Sequence, residues 1–359
     1  MGRTRNWLAE RLPLDAVEAA IAHKTVPQHR HSFWYYLGGM TLFFFGVQVA
    51  TGILLLLYYR PSAGEAYDSV QFIMTRVPFG WLIRSIHSWS ANLMVGAAFI
   101  HLFSVLYLKA YRKPRELTWI SGMLLLFITM GFGFTGYLLP WNELAYFATR
   151  VGTDIPGAIP IIGDPLVTFL RGGPQVTGAT LTRFYGIHVA VLPAITTVLL
   201  GLHLVLVQYH GMSVPPSVEA EAARSGRPTP AMPFVPHFAL RDLFGWTVAL
   251  ALLAGLSAYL PWELGTKADL FAAAPAGIKP EWYFLWTFQA LKVVPGHVFG
   301  IEGELVAIGA LTIGALGIVL LPFLDPNTAR ARTVVNWLAS FAVVFMVVMT
   351  LWALMGGVQ

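Results

Sequence analysis

Seven stretches of this chain, each about 20 residues or longer, contain no Asp, Glu, Lys or Arg. A helix needs about 20 apolar residues to cross the hydrocarbon core of a bilayer, and it satisfies its backbone polar groups internally, as lipid requires. Charged residues make up 11% of the chain, against about 25% in soluble domains. The sequence therefore predicts an all-α integral membrane protein with seven transmembrane helices. The stretches are 32–59, 85–108, 117–142, 184–218, 243–262, 305–324 and 333–359.

Positively charged residues predict the orientation of these helices. Of the 23 Lys and Arg residues, fourteen fall in segments on the same side as the N-terminus, and such an excess is typical of cytoplasmic segments. We therefore predict a cytoplasmic N-terminus and a C-terminus on the outside. The same asymmetry accounts for the net charge of +5, which gives no reason to predict nucleic-acid binding.

The chain contains no cysteine. Disulfides, thiolate-ligated iron–sulfur clusters and thioether-linked haem are therefore excluded within it. The N-terminal segment 7–22 mixes acidic and basic residues through an apolar pattern, which is unlike a cleavable signal peptide. This segment predicts an amphipathic helix on the cytoplasmic surface, and a solvated helix is the alternative.

A polar segment rich in Pro, Ala, Glu and Arg interrupts the apolar pattern at residues 211–236. It predicts a cytoplasmic linker between an N-terminal four-helix bundle and a C-terminal three-helix domain. Two long outer loops, 141–183 and 263–304, contain short apolar runs, and loops of this length commonly carry function. The predicted domains are the N-terminal segment 1–31, the four-helix domain 32–210, the linker 211–236 and the three-helix domain 237–359.

Four histidines fall within the apolar stretches as two pairs of nearly equal spacing, His87 with His101 and His188 with His203. Two residues 14 positions apart in a helix are separated by about 21 Å along the axis and by about 40° around it. Two residues 15 positions apart are separated by about 60° around the axis. Two such helices side by side would hold two stacked pairs of imidazoles, which predicts two haems. Any one of these histidines alone could instead join helices by hydrogen bonds or belong to a proton relay.

Glycines repeat with a matching period. Gly38 and Gly52 are 14 residues apart in the first stretch, and Gly122 and Gly136 are 14 residues apart in the third. A haem between helices needs neighbouring backbones without side chains in its way. We expect the first glycine of each stretch to lie at the depth of the cytoplasmic histidine pair, and the second at the depth of the outer pair. Packing of helices through small residues is the alternative.

Six segments carry motifs that point to one family. They are FGWLIRSIH at 79–87, KPRELTW at 113–119, GYLLPW at 136–141, IPIIGDPLVTFLRG at 159–172, LTRFYGIH at 181–188 and PEWYF at 280–284. The first five resemble cytochrome b of the quinol–cytochrome c and quinol–plastocyanin oxidoreductases, close to the cytochrome b6 type. The last resembles the C-terminal portion of the family, which plastid-type complexes carry as the separate subunit IV. Together the resemblance covers nearly all of residues 8–356.

The resemblance implies two non-covalent b haems. His87 and His188 would ligate the haem near the outer face, and His101 and His203 would ligate the haem near the cytoplasmic face. Axial imidazoles on both sides of the iron suit electron transfer rather than oxygen chemistry.

The resemblance implies that two arginines bind the haem propionates. The chain also differs from the b6 pattern at three positions. Arg84 and Arg183 precede the outer ligands, where their guanidinium groups would pair with propionates, although interfacial snorkelling is the alternative. Ser88 and Ser104 stand where b6-type chains tend to carry arginines, and Tyr36 replaces the cysteine that anchors a third haem there. The continuous chain through the seventh helix resembles a fused bacterial protein of the bacterial inner membrane.

The resemblance also implies two quinone sites. Glu281 lies among aromatic residues, where we expect a raised pKa and a role in accepting a proton from quinol. Tyr137, Tyr283 and Pro140, with the segment 159–171, would shape this outer pocket, and an aromatic belt is the alternative for the tyrosines. On the cytoplasmic side, the sequence offers the pair Arg241–Asp242, with Gln208 and His210 behind it. A surface ion pair is the alternative for Arg241 and Asp242.

The function implied is that of a quinol–cytochrome c reductase subunit coupled to proton translocation. A Rieske iron–sulfur protein and a c-type cytochrome would be its partners, with quinone and lipid, and the complex is expected to be a homodimer that binds no nucleic acid. A two-haem membrane anchor of another quinol-linked oxidoreductase is the first alternative. A transporter that uses buried histidines as proton relays is the second.

Overall fold

The computed structural model describes residues 2–13, 15, 19 and 22–356. Six helices in this part of the chain are long and apolar enough to cross a membrane. A seventh apolar helix of 17 residues, Gly303–Val319, is about 25 Å long. These helices confirm the predicted all-α membrane fold with seven apolar helices. The six longer ones are Ser32–Leu56, Gly80–Leu108, Glu116–Leu138, Gly178–His210, Phe234–Tyr259 and Ala329–Leu354.

The helices are numbered here in chain order. They are α1 (Gly2–Ala9), α2 (Tyr36–Leu56), α3 (Ala66–Arg76), α4 (Gly80–Leu108), α5 (Glu116–Leu138), α6 (Glu143–Asp154), α7 (Gly163–Arg171), α8 (Gly178–Gly186), α9 (Leu192–His210), α10 (Pro216–Ser225), α11 (Ala239–Tyr259), α12 (Trp282–Val293), α13 (Gly303–Val319), α14 (Leu321–Leu324) and α15 (Ala329–Leu354). Two short antiparallel strand pairs accompany them: β1 (Thr25–Pro27) pairs with the distant β2 (Ala231–Pro233), and β3 (His297–Val298) forms a hairpin with β4 (Ile301–Glu302).

The amphipathic helix predicted over 7–22 is only partly described. Within the described residues, α1 ends at Ala9 and a turn follows at 10–12. The rest of the prediction falls largely on residues 14, 16–18, 20 and 21, which lie outside the described residues.

The four-helix part is built from two helix pairs. Helix α2 packs along α4, and α5 packs along the continuous helix that α8 and α9 form. Each pair joins a helix that carries two of the periodic glycines to a helix that carries two of the histidines. The local sequence sets several of the boundaries: α5 ends just before Pro140, which has no N–H to continue the helix, and Asn142 caps α6 by accepting a hydrogen bond from the backbone N–H of Ala145 at 2.8 Å.

The C-terminal helices pack on the outside of these pairs. Helix α11 contacts α2 and α4, α13 contacts α5, and α15 contacts both α12 and α4. Two polar contacts tie the parts together next to the end of α4: Lys109 Nζ donates to Asn336 Oδ1 at 2.6 Å, and the Tyr111 hydroxyl donates to Asp325 Oδ2 at 2.6 Å. Burial lowers the pKa of Lys109 to about 8, which marks this contact as a desolvated junction between the two halves.

The connections collect at two opposite faces. The N-terminal face holds the paired strands β1 and β2, helix α10 and the ion pair between Arg112 and Glu219. The loop face holds α3, α6, α7 and the connection from α11 to α12, where the backbone N–H of Glu143 donates to Thr266 O and that of Ala268 donates to Trp141 O. A buried aromatic cluster that includes Trp141 and Phe184 lies under this face. The two faces therefore close the helix bundle at its two ends.

Candidate functional site

Each of the four histidines predicted as ligands lies against one of the four periodic glycines. A Cβ added at Gly136 would lie 2.6 Å from Cε1 of His188, closer than any real side chain could approach. The corresponding distances are 3.1 Å for Gly122 and His203, 3.3 Å for Gly38 and His101, and 3.5 Å for Gly52 and His87. The helices therefore stack the histidines in two layers, each at the depth of its own glycines.

The histidines of the layer near the loop face point toward each other. The ring centroids of His87 and His188 are 6.5 Å apart, and the ring planes are inclined by 68°. Both rings line a cavity of about 470 Å³ together with Gly52 and Gly136. A metal ion bound by one nitrogen of each ring needs about 2 Å on either side, so the gap between the rings has room for one ion. The pair of imidazoles and the largely apolar lining, with glycines beside the rings, fit a haem.

His188 lies in a π-helical turn, Ile187–Val191, between α8 and α9. The backbone N–H of Leu192 donates to Ile187 O, five residues back. Pro193 comes next, and since proline has no N–H and crowds the carbonyl four residues earlier, the helix widens by one residue here. The 15-residue spacing of His188 and His203 therefore has about the rise and phase of the 14-residue spacing in α4.

Three hydroxyl groups contact the Nδ1 atoms of three ligand candidates. Thr51 Oγ1 lies 2.8 Å from His87 Nδ1, and Thr135 Oγ1 lies 3.1 Å from His188 Nδ1. In the other layer, Ser121 Oγ lies 2.9 Å from His203 Nδ1. These contacts leave the Nε2 atom of each of the three rings for a metal.

Only one of the two predicted propionate-binding arginines reaches the histidine layer. Arg84 is buried, lines the 470 Å³ cavity, and donates to the carbonyls of Trp262 and Glu263. Arg183 is exposed, donates to Phe169 O at 3.2 Å, and is not among the described residues that line this cavity. The structure thus brings Arg84, and not Arg183, to the histidine pair.

A second cavity of about 370 Å³ lies beside the first, under the loop face. Four residues line both cavities and form the wall between them: Gly133, Tyr137, Glu281 and Tyr283. A Cβ at Gly133 would lie 2.6 Å from the Tyr283 hydroxyl, so this glycine is what allows the tyrosine to enter the wall. Burial raises the pKa of the Glu281 carboxyl and also raises that of the Tyr283 hydroxyl. This cavity is large enough for a small-molecule ligand.

The segment 159–171 does not line either cavity among the described residues, contrary to the sequence prediction. The wall on that side comes instead from α6 and Ile155. Arg171 gives the reason: its Nε donates to Thr153 Oγ1 at 2.6 Å and its Nη2 donates to Asp154 Oδ1 at 2.7 Å. This buried guanidinium holds α7 against the end of α6, so that α6 and not α7 lines the cavity.

Asp242 is partly buried near the N-terminal face, with its Oδ1 atom shielded from solvent. A Cβ at Gly39 would lie 2.5 Å from Asp242 Oδ2, so α2 and α11 approach closely here. Neither Asp242 Oδ1 nor the hydroxyl of Tyr36, whose ring stacks on Phe238, has a hydrogen-bond partner in the described part of the chain.

Arg241 and His210 make their hydrogen-bond contacts with other residues than Asp242. Arg241 is exposed and its Nη1 contacts Met232 Sδ at 3.8 Å, while the backbone O of His210 accepts a hydrogen bond from Arg115 Nη2 at 3.1 Å. Across the residues described, no hydrogen bond or ion pair joins either of them to Asp242. A surface ion pair between Arg241 and Asp242 is therefore not what the structure contains.

Comparison with known proteins identifies the family to which this chain belongs. The sequence profile described as Cytochrome b/b6/petB matches residues 21–211, and that described as Cytochrome b(C-terminal)/b6/petD matches residues 268–359. The chain belongs to the cytochrome b family. It is 50% identical over 328 residues to a cytochrome bc complex cytochrome b subunit of Chlorobaculum thiosulfatiphilum, covering 91% of this chain and 74% of that one. It also superposes on a chain of a hyperthermophilic respiratory Complex III with a TM-score of 0.80 at 29% identity, covering 98% of both chains.

As a cytochrome b of this type, the chain is an electron-transferring component of a quinol:cytochrome c oxidoreductase in a bc-type complex. Its family implies haem b and an interaction with quinone. This membership decides against the transporter and against the membrane anchor of an unrelated enzyme.

Sequence reasoning missed the residues that position the predicted ligands. The hydroxyls of Thr51, Ser121 and Thr135 each come one residue before a periodic glycine, and this pattern was available in the sequence. Gln48 was also missed: its Nε2 donates to the His87 backbone O at 2.6 Å and to Ser90 Oγ. That contact carries no sequence pattern, because it depends on the rotation of α2 against α4.

A single methyl group should disturb the histidine layer near the loop face. In Gly136→Ala the new Cβ would lie 2.6 Å from Cε1 of His188, so the His188 ring must turn away from His87. We expect haem affinity to fall by about 10–100-fold, the usual cost of losing ligand orientation, measured as haem content per purified chain. Gly46→Ala is the matched control, because nothing described lies within 4 Å of its Cβ. Equal haem content in the two variants would contradict the close packing of Gly136 and His188.

Proposed function

We propose that this chain holds two b haems and connects a quinol-oxidation site at the loop face to a quinone-reduction site at the N-terminal face. His87 and His188 would hold the outer haem, near the loop face. His101 and His203 would hold the inner haem, near the N-terminal face. The observation that carries the proposal is the pair of imidazoles 6.5 Å apart, with both Nδ1 atoms already engaged. Haem with both axial positions filled supplies one-electron transfer when bound.

At the loop face, Glu281 is the group that would accept a proton from quinol. Its carboxylate lies in the wall shared by the 370 Å³ cavity and the cavity of the outer histidines, so a quinol in the former would lie next to the latter. Burial raises its pKa, which brings the carboxyl closer to the range where it can both accept and release a proton. Tyr137 and Tyr283 line the same wall and would orient the quinol hydroxyl.

At the N-terminal face, Asp242 is the group that would bind quinone. An unpartnered polar group in a buried position costs about 1–3 kcal/mol, and both Asp242 Oδ1 and the Tyr36 hydroxyl are in this condition. The oxygens of a quinone would supply hydrogen-bond partners for the protonated carboxyl and the hydroxyl. Arg241 and His210 would form the approach to this site from the N-terminal face.

The remaining parts of the complex must come from partner chains. This chain has no cysteine to ligate an iron–sulfur cluster or to attach haem covalently, so a Rieske protein and a c-type cytochrome would supply these groups. We assign the chain to a bacterial inner membrane, since its relative from Chlorobaculum thiosulfatiphilum belongs to a cytochrome bc complex. The excess of Lys and Arg supports a cytoplasmic N-terminal face. Two copies of the complex would form a homodimer.

Haem stoichiometry tests the proposal directly. The complex purified in mild detergent should contain two b haems per copy of this chain, both reducible by quinol and both with spectra of six-coordinate bis-imidazole iron. The measurements are haem extraction against protein concentration and a quinol-reduced minus oxidised spectrum. One haem per chain, or two haems of which neither is reduced by quinol, would contradict the proposed function.

A further inference from the structure

The hydroxyl contacts of the histidines are not symmetric. In three of the four glycine positions the preceding residue carries a hydroxyl, and in the fourth it is Leu37. The pairs are Thr51–Gly52, Ser121–Gly122, Thr135–Gly136 and Leu37–Gly38. The outer layer therefore has two hydroxyl partners and the inner layer has one.

The direction of these hydrogen bonds follows from where each hydroxyl places its single proton. Thr51 Oγ1 donates to Val47 O at 2.7 Å, Ser121 Oγ donates to Thr118 O at 3.0 Å, and Thr135 Oγ1 donates to Gly131 O at 2.8 Å. Each hydroxyl oxygen therefore accepts from the imidazole, which requires the proton on Nδ1 and leaves the lone pair on Nε2. The backbone carbonyls of Phe132 and Thr118 are further hydrogen-bond partners of His188 and His203. The hydroxyls thus select the tautomer that binds a metal.

His101 is the exception. Its Nδ1 is buried and has no hydrogen-bond partner in the described part of the chain. The ring lies 3.3 Å from the Cβ position of Gly38, and its Nε2 is nearer to that position than its Nδ1, whereas Nδ1 is the nearer nitrogen at Gly122 and Gly136. The residue before the glycine also differs, because the side chain of Leu37 has no oxygen to accept the N–H.

The missing acceptor has a consequence for the iron. A hydrogen bond from Nδ1–H makes the opposite nitrogen a more basic ligand. A more basic ligand stabilises the oxidised iron more than the reduced iron, because the oxidised iron carries one more positive charge. The reduction potential of a haem is therefore expected to fall with each such hydrogen bond.

From this asymmetry we propose that Thr51, Ser121 and Thr135 are positioning residues that lower the reduction potential of the haem they serve. Leu37 cannot accept a hydrogen bond from His101 Nδ1. The reduction potential of the inner haem is therefore higher than it would be with a hydroxyl at position 37. This inference rests on the proposed function, since it requires the four histidines to ligate two haems.

Substitutions in opposite senses test the inference on the purified complex. Leu37→Thr supplies the missing hydroxyl and should lower the potential of the inner haem. Thr135→Val removes a hydroxyl at nearly constant shape and should raise the potential of the outer haem. We expect a change of up to tenfold in the equilibrium constant of each one-electron couple, which corresponds to 59 mV. The potentials are measured by optical spectroelectrochemistry, with haem content determined on the same samples.

Matched controls separate the hydrogen bond from the change in shape. Leu37→Val is branched like threonine but has no hydroxyl. Thr41→Val removes a hydroxyl that donates to Leu37 O at 3.0 Å and makes no described contact with a ligand histidine. Neither control should move either potential by as much as the test variants do.

The outcomes distinguish this inference from the proposed function. Two haems with normal spectra but unchanged reduction potentials in both test variants would overturn the inference and leave the proposed function standing. Equal shifts of the reduction potential in Leu37→Thr and Leu37→Val would have the same meaning. Absence of two b haems from the unmodified complex would overturn the proposed function itself. Loss of the outer haem in Thr135→Val with its retention in Thr135→Ser would support the positioning role, and Leu37→Thr would then test the potential.

Discussion

Replacement of His188 by Leu should leave one b haem per chain instead of two and abolish turnover with quinol. The His188 ring is one of the two that face each other across 6.5 Å at the loop-face end of the bundle. Leu has no nitrogen to bind iron, so the outer haem would keep one axial ligand at most. Loss of a group that merely orients a metal ligand commonly costs 10–100-fold in affinity or activity. Loss of the ligand itself should therefore reduce turnover by more than about 100-fold.

The measurement is haem content per chain, together with quinol-dependent reduction of the acceptor. His297→Leu is the matched control, because it makes the same chemical change at an exposed histidine in β3, and it should retain both haems and full turnover. Two haems retained in the His188 variant would contradict the ligand assignment. A variant that loses both haems can be checked against His101→Leu, which should lose the inner haem and keep the outer one.

Replacement of Glu281 by Gln should slow quinol oxidation by about 10²–10⁴-fold, the usual contribution of a general base, while leaving both haem spectra unchanged. The amide keeps the size and polarity of the side chain in the wall between the two cavities, but it cannot accept a proton. The expected measurement is steady-state turnover with quinol in excess, alongside the redox difference spectrum. Glu302→Gln in β4 makes the same change at an exposed carboxylate and should have wild-type turnover.

The same residue should produce an acid limb in the pH dependence. Burial raises the pKa of Glu281 above the ordinary value of 4.5. The carboxylate form, which accepts the proton, is lost as the pH falls through this raised pKa, so the wild-type rate should fall on the acid side. The Gln variant should be slow and should lack this limb. Wild-type turnover in the variant, or an unchanged acid limb, would rule out Glu281 as the base.

Prediction from sequence succeeded where the information is local. A stretch such as 85–108, without a charge over 24 residues, has few alternatives to a helix in lipid, and the structure contains α4 over Gly80–Leu108. The spacing of His87 and His101 is likewise a property of one helix. The π turn at Ile187–Val191 was not predicted, although Pro193 was visible in the sequence, because a proline inside a helix can produce a kink, a break or a wider turn.

Prediction was weaker where the information lies between elements. Both Arg84 and Arg183 precede a histidine by a few residues, yet only Arg84 reaches the cavity. The difference lies in the neighbouring segment that each guanidinium contacts, since Arg84 donates to the carbonyls of Trp262 and Glu263 and Arg183 donates to Phe169 O. The segment 159–171 shows the same limit, since the ties from Arg171 to Thr153 and Asp154 draw it away from the cavity.

Hydropathy and helical spacing are properties of one segment at a time, so the amino-acid order was enough to predict the class of this protein, its seven apolar helices and the period at which histidines and glycines recur. Three features became visible only in the folded chain: which hydroxyl faces which imidazole, the wall of Glu281 and Tyr283 shared by two cavities, and the Asp242 carboxylate against Gly39. These features depend on how far each helix is rotated and how closely it approaches its neighbour. Packing between distant segments sets both quantities.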